Sequence, residues 1–237
     1  LFLVLGLQDD FGFGVGRPVS VVIAEEHARH LRALVEATPP GQRAARLLQA
    51  MRDLRAGQWD ARELSLLGVF EITSAPLAGR EILLDALLQL LRAGAENEDD
   101  RWLREAVRLR RGANGLAELA RQEGEWRPRA WTDWLALVAA EGEPTRLCAA
   151  AKEALAGIPD GLSLRVIAAD HWAGAAAALG DAEAVRTARW EGFRAEPSPR
   201  RLLDLRDAAG DAAARTEWMK RAVDCTLGQA TPLVANE

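Results

Sequence analysis

The 237-residue chain has no tyrosine, two cysteines and three histidines. Of its thirty basic residues only Lys152 and Lys220 are lysines. Cys148 and Cys225 are too few for a disulfide framework or a cysteine-rich zinc site, which points to a reducing, cytoplasmic setting. With so few histidines and no tyrosine, groups suited to acid–base catalysis are scarce, and no nucleophile elbow or Ser, His and Asp arrangement occurs. Asp170 beside His171 is a lone neighbour pair. Long apolar runs are lacking too. The opening LFLVLGL is apolar for seven residues without a basic flank, too short for a membrane span and unlike a signal peptide. No methionine starts the chain, so Leu1 is expected to lie inside a longer reading frame.

What is present favours helices. Apolar residues make up 49% of the chain and charged residues 27%, with a net charge of −5, a balance that speaks against disorder and against coating a polyanion. Ala, Leu, Arg and Glu dominate, and these lose least on entering a helix. Leu147, Ala151, Ala154, Leu155 and Ile158 fall on one helical face, as do Trp131, Trp134, Leu135 and Val138. Pro128 and Gly142 stand where the second of these helices should begin and end.

GDAEAV at Gly180 and GDAAAR at Gly210 write nearly the same turn twice. Gly142 and Pro159 are 17 residues apart, and so are Gly180 and Pro197. A glycine can close one helix in the left-handed conformation, a following acidic residue suits the start of the next, and proline stops it. Each unit is then a helix, an elbow and a return helix, and such units bury their apolar stripes only by stacking. The spacing resembles the tetratricopeptide repeat, although Gly142 to Gly180 spans 38 residues rather than about 34.

The expected fold is therefore all-α, an α-solenoid of stacked antiparallel helical hairpins. Residues 24–237 are read as one helical-repeat domain, clearest over 128–225. Further elbows are expected at Ala56 to Trp59, Gly94 to Asp100, Gly112 to Gly115 and Gly124 to Trp126. Residues 1–23 are set apart as irregular or hairpin-forming, because LFLVLGL and Val19 to Ile23 have β-like composition.

The run from Ala130 to Asp211 resembles the helical C-terminal region of bacterial SWIM zinc-finger family proteins. Trp134, Gly180, Asp181, Trp190, Phe193, Pro197, Leu202, Leu203 and Gly210 carry the resemblance, which covers about residues 130–224. A SWIM finger binds zinc through a Cys-x-Cys pair followed by Cys-x-His, and this chain has neither. The resemblance thus implies a helical interaction arm of a larger protein and transfers no zinc ligand.

Four stretches are weighed for chemistry. FGFGVGRP offers backbone N–H groups and Arg17 to a phosphate over Gly12 to Arg17, but it lacks dinucleotide spacing and a P-loop lysine, so a glycine-rich loop is the simpler reading. EEHARH brings Glu26, His27 and His30 close in sequence without the HExxH pattern, which reads as a solvated face. ENEDD lacks the alternating oxygens and glycine of a calcium loop and reads as an elbow. Arg101, Arg104, Arg108 and Arg111 follow 3, 4, 3 spacing along one helix face, within a segment (101–129) holding eight arginines and four glutamates. That stripe is the candidate binding surface for an acidic helix or for phosphates, set against a solvated face neutralised by ENEDD. The eight tryptophans suit packing between helices better than stacking of bases.

The leading expectation is a noncatalytic scaffold that needs no cofactor or metal and binds a protein partner or another region of its parent chain. A nucleic-acid accessory using the Arg101 to Arg129 surface comes second, and an enzyme fragment using the glycine loop third. No membrane partner is expected.

Overall fold

A computed structural model of the chain describes residues 19–57, 64–94 and 99–230. Among these residues there are eleven α-helices, one short 3-10 turn at Pro40–Gln42 and no strand, so the fold is all-α, as the composition predicts. No helix among them is long and apolar enough to cross a membrane. Contacts sort the residues into two compact units that divide at Gly112, where the sequence pattern predicts one domain from residue 24.

The first unit holds α1 (Val19–Ala37), α2 (Arg43–Gly57), the six-residue α3 (Leu66–Glu71), α4 (Arg80–Ala93) and the opening half of α5 (Asp100–Glu123). Helix α1 packs on α2 and α3, and α2 packs on α4. Leu31, Leu47, Met51, Leu66, Leu84, Leu87 and Leu103 are fully enclosed in this core. Each such side chain contributes roughly 1.5–3 kcal/mol by leaving water.

The β-like reading of Val19 to Ile23 is corrected: these residues open α1. Val21, Ala24, Ala28, Leu31 and Val35 repeat at 3, 4, 3, 4 spacing, and burial deepens along that stripe from Val21 to Leu31 and Val35. The local preference of valine and isoleucine for strands yields to this longer helical period. LFLVLGL and the Gly12 to Arg17 loop lie outside the described residues.

The second unit is a run of hairpins. Helices α6 (Arg129–Ala140) and α7 (Pro144–Gly157) form the first, α8 (Leu164–Ala178) and α9 (Ala182–Ala195) the second, α10 (Pro199–Ala208) and α11 (Ala212–Ala230) the third. Each helix packs on the next in sequence, and α6 also packs on α8, the contact that stacks one hairpin on its neighbour. The faces predicted from spacing are the buried ones: Trp131, Trp134, Leu135 and Val138 on α6, and Ala151, Ala154, Leu155 and Ile158 along and just after α7.

The repeated turns are the elbows. Gly142, Gly180 and Gly210 all have positive φ, at 74°, 72° and 82°, a conformation that glycine enters at little cost. At Gly180 the N–H of Asp181 also reaches back to the carbonyl of Ala176 (3.0 Å), closing the end of α8. The aspartates then cap the return helices: Asp181 Oδ1 accepts from the Ala184 N–H at 2.9 Å and Asp211 Oδ1 from the Ala214 N–H at 2.8 Å. Glu143 holds the same place without a side-chain cap, and Pro144 begins α7 instead.

Three glycines of the second unit answer to packing. The Trp131 indole lies against both Gly124 and Gly157, and a Cβ at either position would run into the ring. Gly192, in the last turn of α9, leaves room for Arg201, whose Nη1 would lie 3.1 Å from a Cβ there.

The break expected at Gly112 to Gly115 is present at its first residue: α5 is two helical stretches that meet at Gly112, whose φ of 61° and ψ of −147° lie outside the helical region. Both flanks are rich in Arg, Ala and Leu, so helix forms on either side of it.

Candidate interaction surfaces

The four arginines singled out by their spacing do not form one open stripe. Arg104 is only 6% exposed, and its Nε donates to Asp100 Oδ2 at 3.0 Å. Arg101, exposed, donates to Glu105 Oε1 at 2.8 Å. Arg108 and Arg111 face solvent. Arg110, outside the 3, 4, 3 pattern, pairs with Asp85 at 2.8 Å. This bond holds the Asp85 carboxyl below its ordinary range and the guanidinium above its own.

The first half of α5 is instead a strap over the short α3. Its buried Glu105 accepts the Leu66 N–H through Oε2 at 2.6 Å, and so closes the start of α3 where Ser65 provides no side-chain cap. Trp102 Nε1 donates to the Leu64 carbonyl at 3.2 Å. Asp99, at the end of ENEDD, is buried and takes both Arg52 and Arg55, and the Arg55 guanidinium also lies 4.7 Å from the Trp102 ring centre. Arg32 and Arg43 donate to the carbonyls of Ala75 (3.0 Å) and Ala78 (2.8 Å), which fastens the segment between α3 and α4. None of these partners is near in sequence, so no local signal announces them.

In EEHARH, Glu25 and Glu26 pair with Arg29 while His30 is exposed, and no group of three metal-ligating side chains occurs among the described residues. Of the tryptophans, Trp102, Trp131, Trp134 and Trp190 are buried, Trp172 and Trp218 are half-buried, and Trp126 stands 81% exposed on the turn between α5 and α6. Trp59 lies outside the described residues.

The second unit offers a different surface. On α8, Ile167, Asp170, Gly174 and Ala178 are exposed at 3, 4, 4 spacing, a face of short side chains with Ile167 41% exposed at one end. Beside it, three consecutive helices meet at one carboxylate. Arg201 of α10 donates to Asp170 through Nη1 (3.1 Å) and Nη2 (3.0 Å), and Arg189 of α9 adds a bond at 3.1 Å. The Asp170 bond holds the Arg201 guanidinium above its ordinary value. Burial lowers the pKa of the neighbouring His171 while the Asp170 charge pulls the other way, so the ring favours its neutral form.

A basic side chain lies over an indole elsewhere in this unit too. Trp134 and Trp172 both stand eight residues before an elbow glycine, at Gly142 and Gly180. Arg121 lies 5.5 Å from the Trp134 ring centre and Lys152 lies 5.2 Å from that of Trp172. In the last hairpin Arg221 lies 4.2 Å from the ring centre of Trp190, which packs with Phe193, Leu205 and Ala222. These pairs seal hairpin layers, each worth roughly 0.5–1 kcal/mol at an exposed site.

Comparison with known proteins gives no match among family models, curated proteins or solved structures.

Proposed function

We propose that the chain is a noncatalytic helical-repeat scaffold that binds a protein, or another region of its parent chain, along the exposed face of its stacked hairpins. The observation that supports it is the α8 face: Ile167 with Gly174 and Ala178 leaves a shallow apolar strip beside the Asp170, Arg189 and Arg201 cluster. An amphipathic segment can lay its apolar side chains on Gly174 and Ala178 and its polar ones against the Asp170 cluster, which interrupts the strip after Ile167. Elbows spaced like tetratricopeptide repeats, and the likeness to the helical arm of SWIM zinc-finger proteins, fit the same reading, as does a cytoplasmic location. A nucleic-acid role is less favoured, since Arg101, Arg104 and Arg110 are engaged within the first unit.

The test is affinity capture from a bacterial lysate with residues 1–237, with and without nuclease, beside two variants. Ile167→Glu with Ala178→Glu should abolish recovery of a nuclease-resistant protein, whereas Arg108→Glu with Arg111→Glu should leave it unchanged. Material lost on nuclease treatment, sensitive to the arginine variant and to salt, would overturn the scaffold reading.

A further inference from the structure

We propose that the outer face of α11 is a homodimer interface, on which α11 of a second copy lies antiparallel. This goes beyond the scaffold reading and does not depend on it, because it uses neither Ile167 nor the Asp170 cluster. One face of α11 closes the last hairpin, where Ala222 joins Trp190, Phe193 and Leu205 in an apolar cluster and Trp218 packs against it. The opposite face carries Ala213, Thr216, Lys220, Val223 and Leu227, all exposed, at 3, 4, 3, 4 spacing. That is the period of a coiled-coil seam with a single charged residue in it. Val223 is 53% and Leu227 64% exposed, although the outer helix of a repeat stack ordinarily turns a polar face to water.

Charge selects the occupant and its direction. Lys220 and the adjoining Asp224 are both exposed, and neither is engaged by another charged group among the described residues. A parallel pair of α11 helices would set Lys220 against Lys220. An antiparallel pair centred at the level of Ala222 sets Lys220 of each helix, two residues before the centre, opposite Asp224 of the other, two residues after it. The two-fold axis makes this ion pair twice over, and it brings Leu227 of each copy to Thr216 of the other. A charged residue at one seam position fixes register in this way, at some cost in affinity. One helix pair about 28 Å long is a small interface, so the dimer is in reversible exchange with monomer.

The test is sedimentation equilibrium of the full chain over about a hundredfold range of concentration, with reductant present so that Cys225 does not cross-link copies. The wild-type sequence should pass from monomer to dimer. Val223→Glu with Leu227→Glu should raise the dissociation constant by about a hundredfold, because it replaces the apolar seam with like charges. Lys220→Glu and Asp224→Lys should each raise it about fivefold, and the two together should restore the wild-type value. All four positions are exposed, and an unchanged helical circular dichroism signal confirms that each variant folds. A monomer at every concentration, a dimer indifferent to the Val223 and Leu227 changes, or a double charge reversal that fails to restore affinity would each overturn the proposal.

Discussion

In the first unit Arg32, Asp99, Arg104 and Glu105 are all buried, whereas no charged side chain is buried among the described residues of the second. The two units solve the same problem, the unpaired backbone groups at helix ends and turns, by different means. The first sends long side chains across from distant helices: Glu105 to the Leu66 N–H, Arg32 to the Ala75 carbonyl, Arg43 to that of Ala78. The second settles it at two elbows within a few residues, with a left-handed glycine and a capping aspartate at Gly180–Asp181 and Gly210–Asp211, and sends a long side chain only from the adjacent helix, Arg165 to the Leu155 and Ile158 carbonyls at the end of α7. Short α3 and the irregular segment after it require the first solution, since neither is long enough to satisfy itself. Repeated hairpins permit the second.

The comparison breaks most sharply at Glu105. Removing its carboxylate leaves the Leu66 N–H buried without a partner and takes away the acceptor of Arg101, so Glu105→Ala should cost the first unit about 3 kcal/mol. Glu153 in the second unit also meets an arginine, but the pair is exposed, and Glu153→Ala should cost less than about 1 kcal/mol. Denaturant unfolding of the two variants, with amide exchange to assign the loss to a unit, measures both. Equal costs would show that burial of the Glu105 pair confers nothing special.

The elbows should respond on a smaller scale and unequally. Asp181→Ala and Asp211→Ala each remove a cap bond and should cost about 1 kcal/mol. Glu143→Ala at the matching place should be near neutral, because its side chain makes no cap bond. The same unfolding measurement separates the three, and a loss at Glu143 as large as at Asp181 would mean that charge rather than the hydrogen bond matters there.

This division also explains what could be read from the sequence. Gly142, Gly180, Gly210 and the faces of α6 and α7 act through neighbours within one or two turns, so spacing alone reveals them. Val19 to Ile23 mislead because a five-residue window hides a stripe that continues to Val35. Gly112 is legible as a break because a glycine interrupts a run otherwise rich in helix formers, and its angles do leave the helix there. The arginine stripe is right in its helical spacing and silent about surroundings: nothing in the letters of Arg104 says that its face of α5 turns inward. Ile167 escapes notice for the converse reason, since an isoleucine in an alanine-rich helix reads as core until its exposure is seen.

The smallest effect is expected from acid, and it sets the units apart once more. His171 is held toward its neutral form by burial, so its folded pKa lies below the unfolded value of about 6.5. Stability from this group is fully present above that value, and it is lost as pH falls toward the folded pKa, because the unfolded chain takes up the proton first. Glu153, whose carboxyl is held below its ordinary range by its bond to Arg121, keeps its charge through the histidine range. Amide protection in α8 and α9 should therefore weaken as pH falls below about 6.5, the ordinary histidine value, and His171→Gln should remove that dependence. Asp170→Asn tests the cause. It withdraws the charge that opposes the shift, so the acid loss should deepen with His171 in place, even though the substitution also releases Arg189 and Arg201. An acid response that persists unchanged in His171→Gln would place its origin in another group of the second unit.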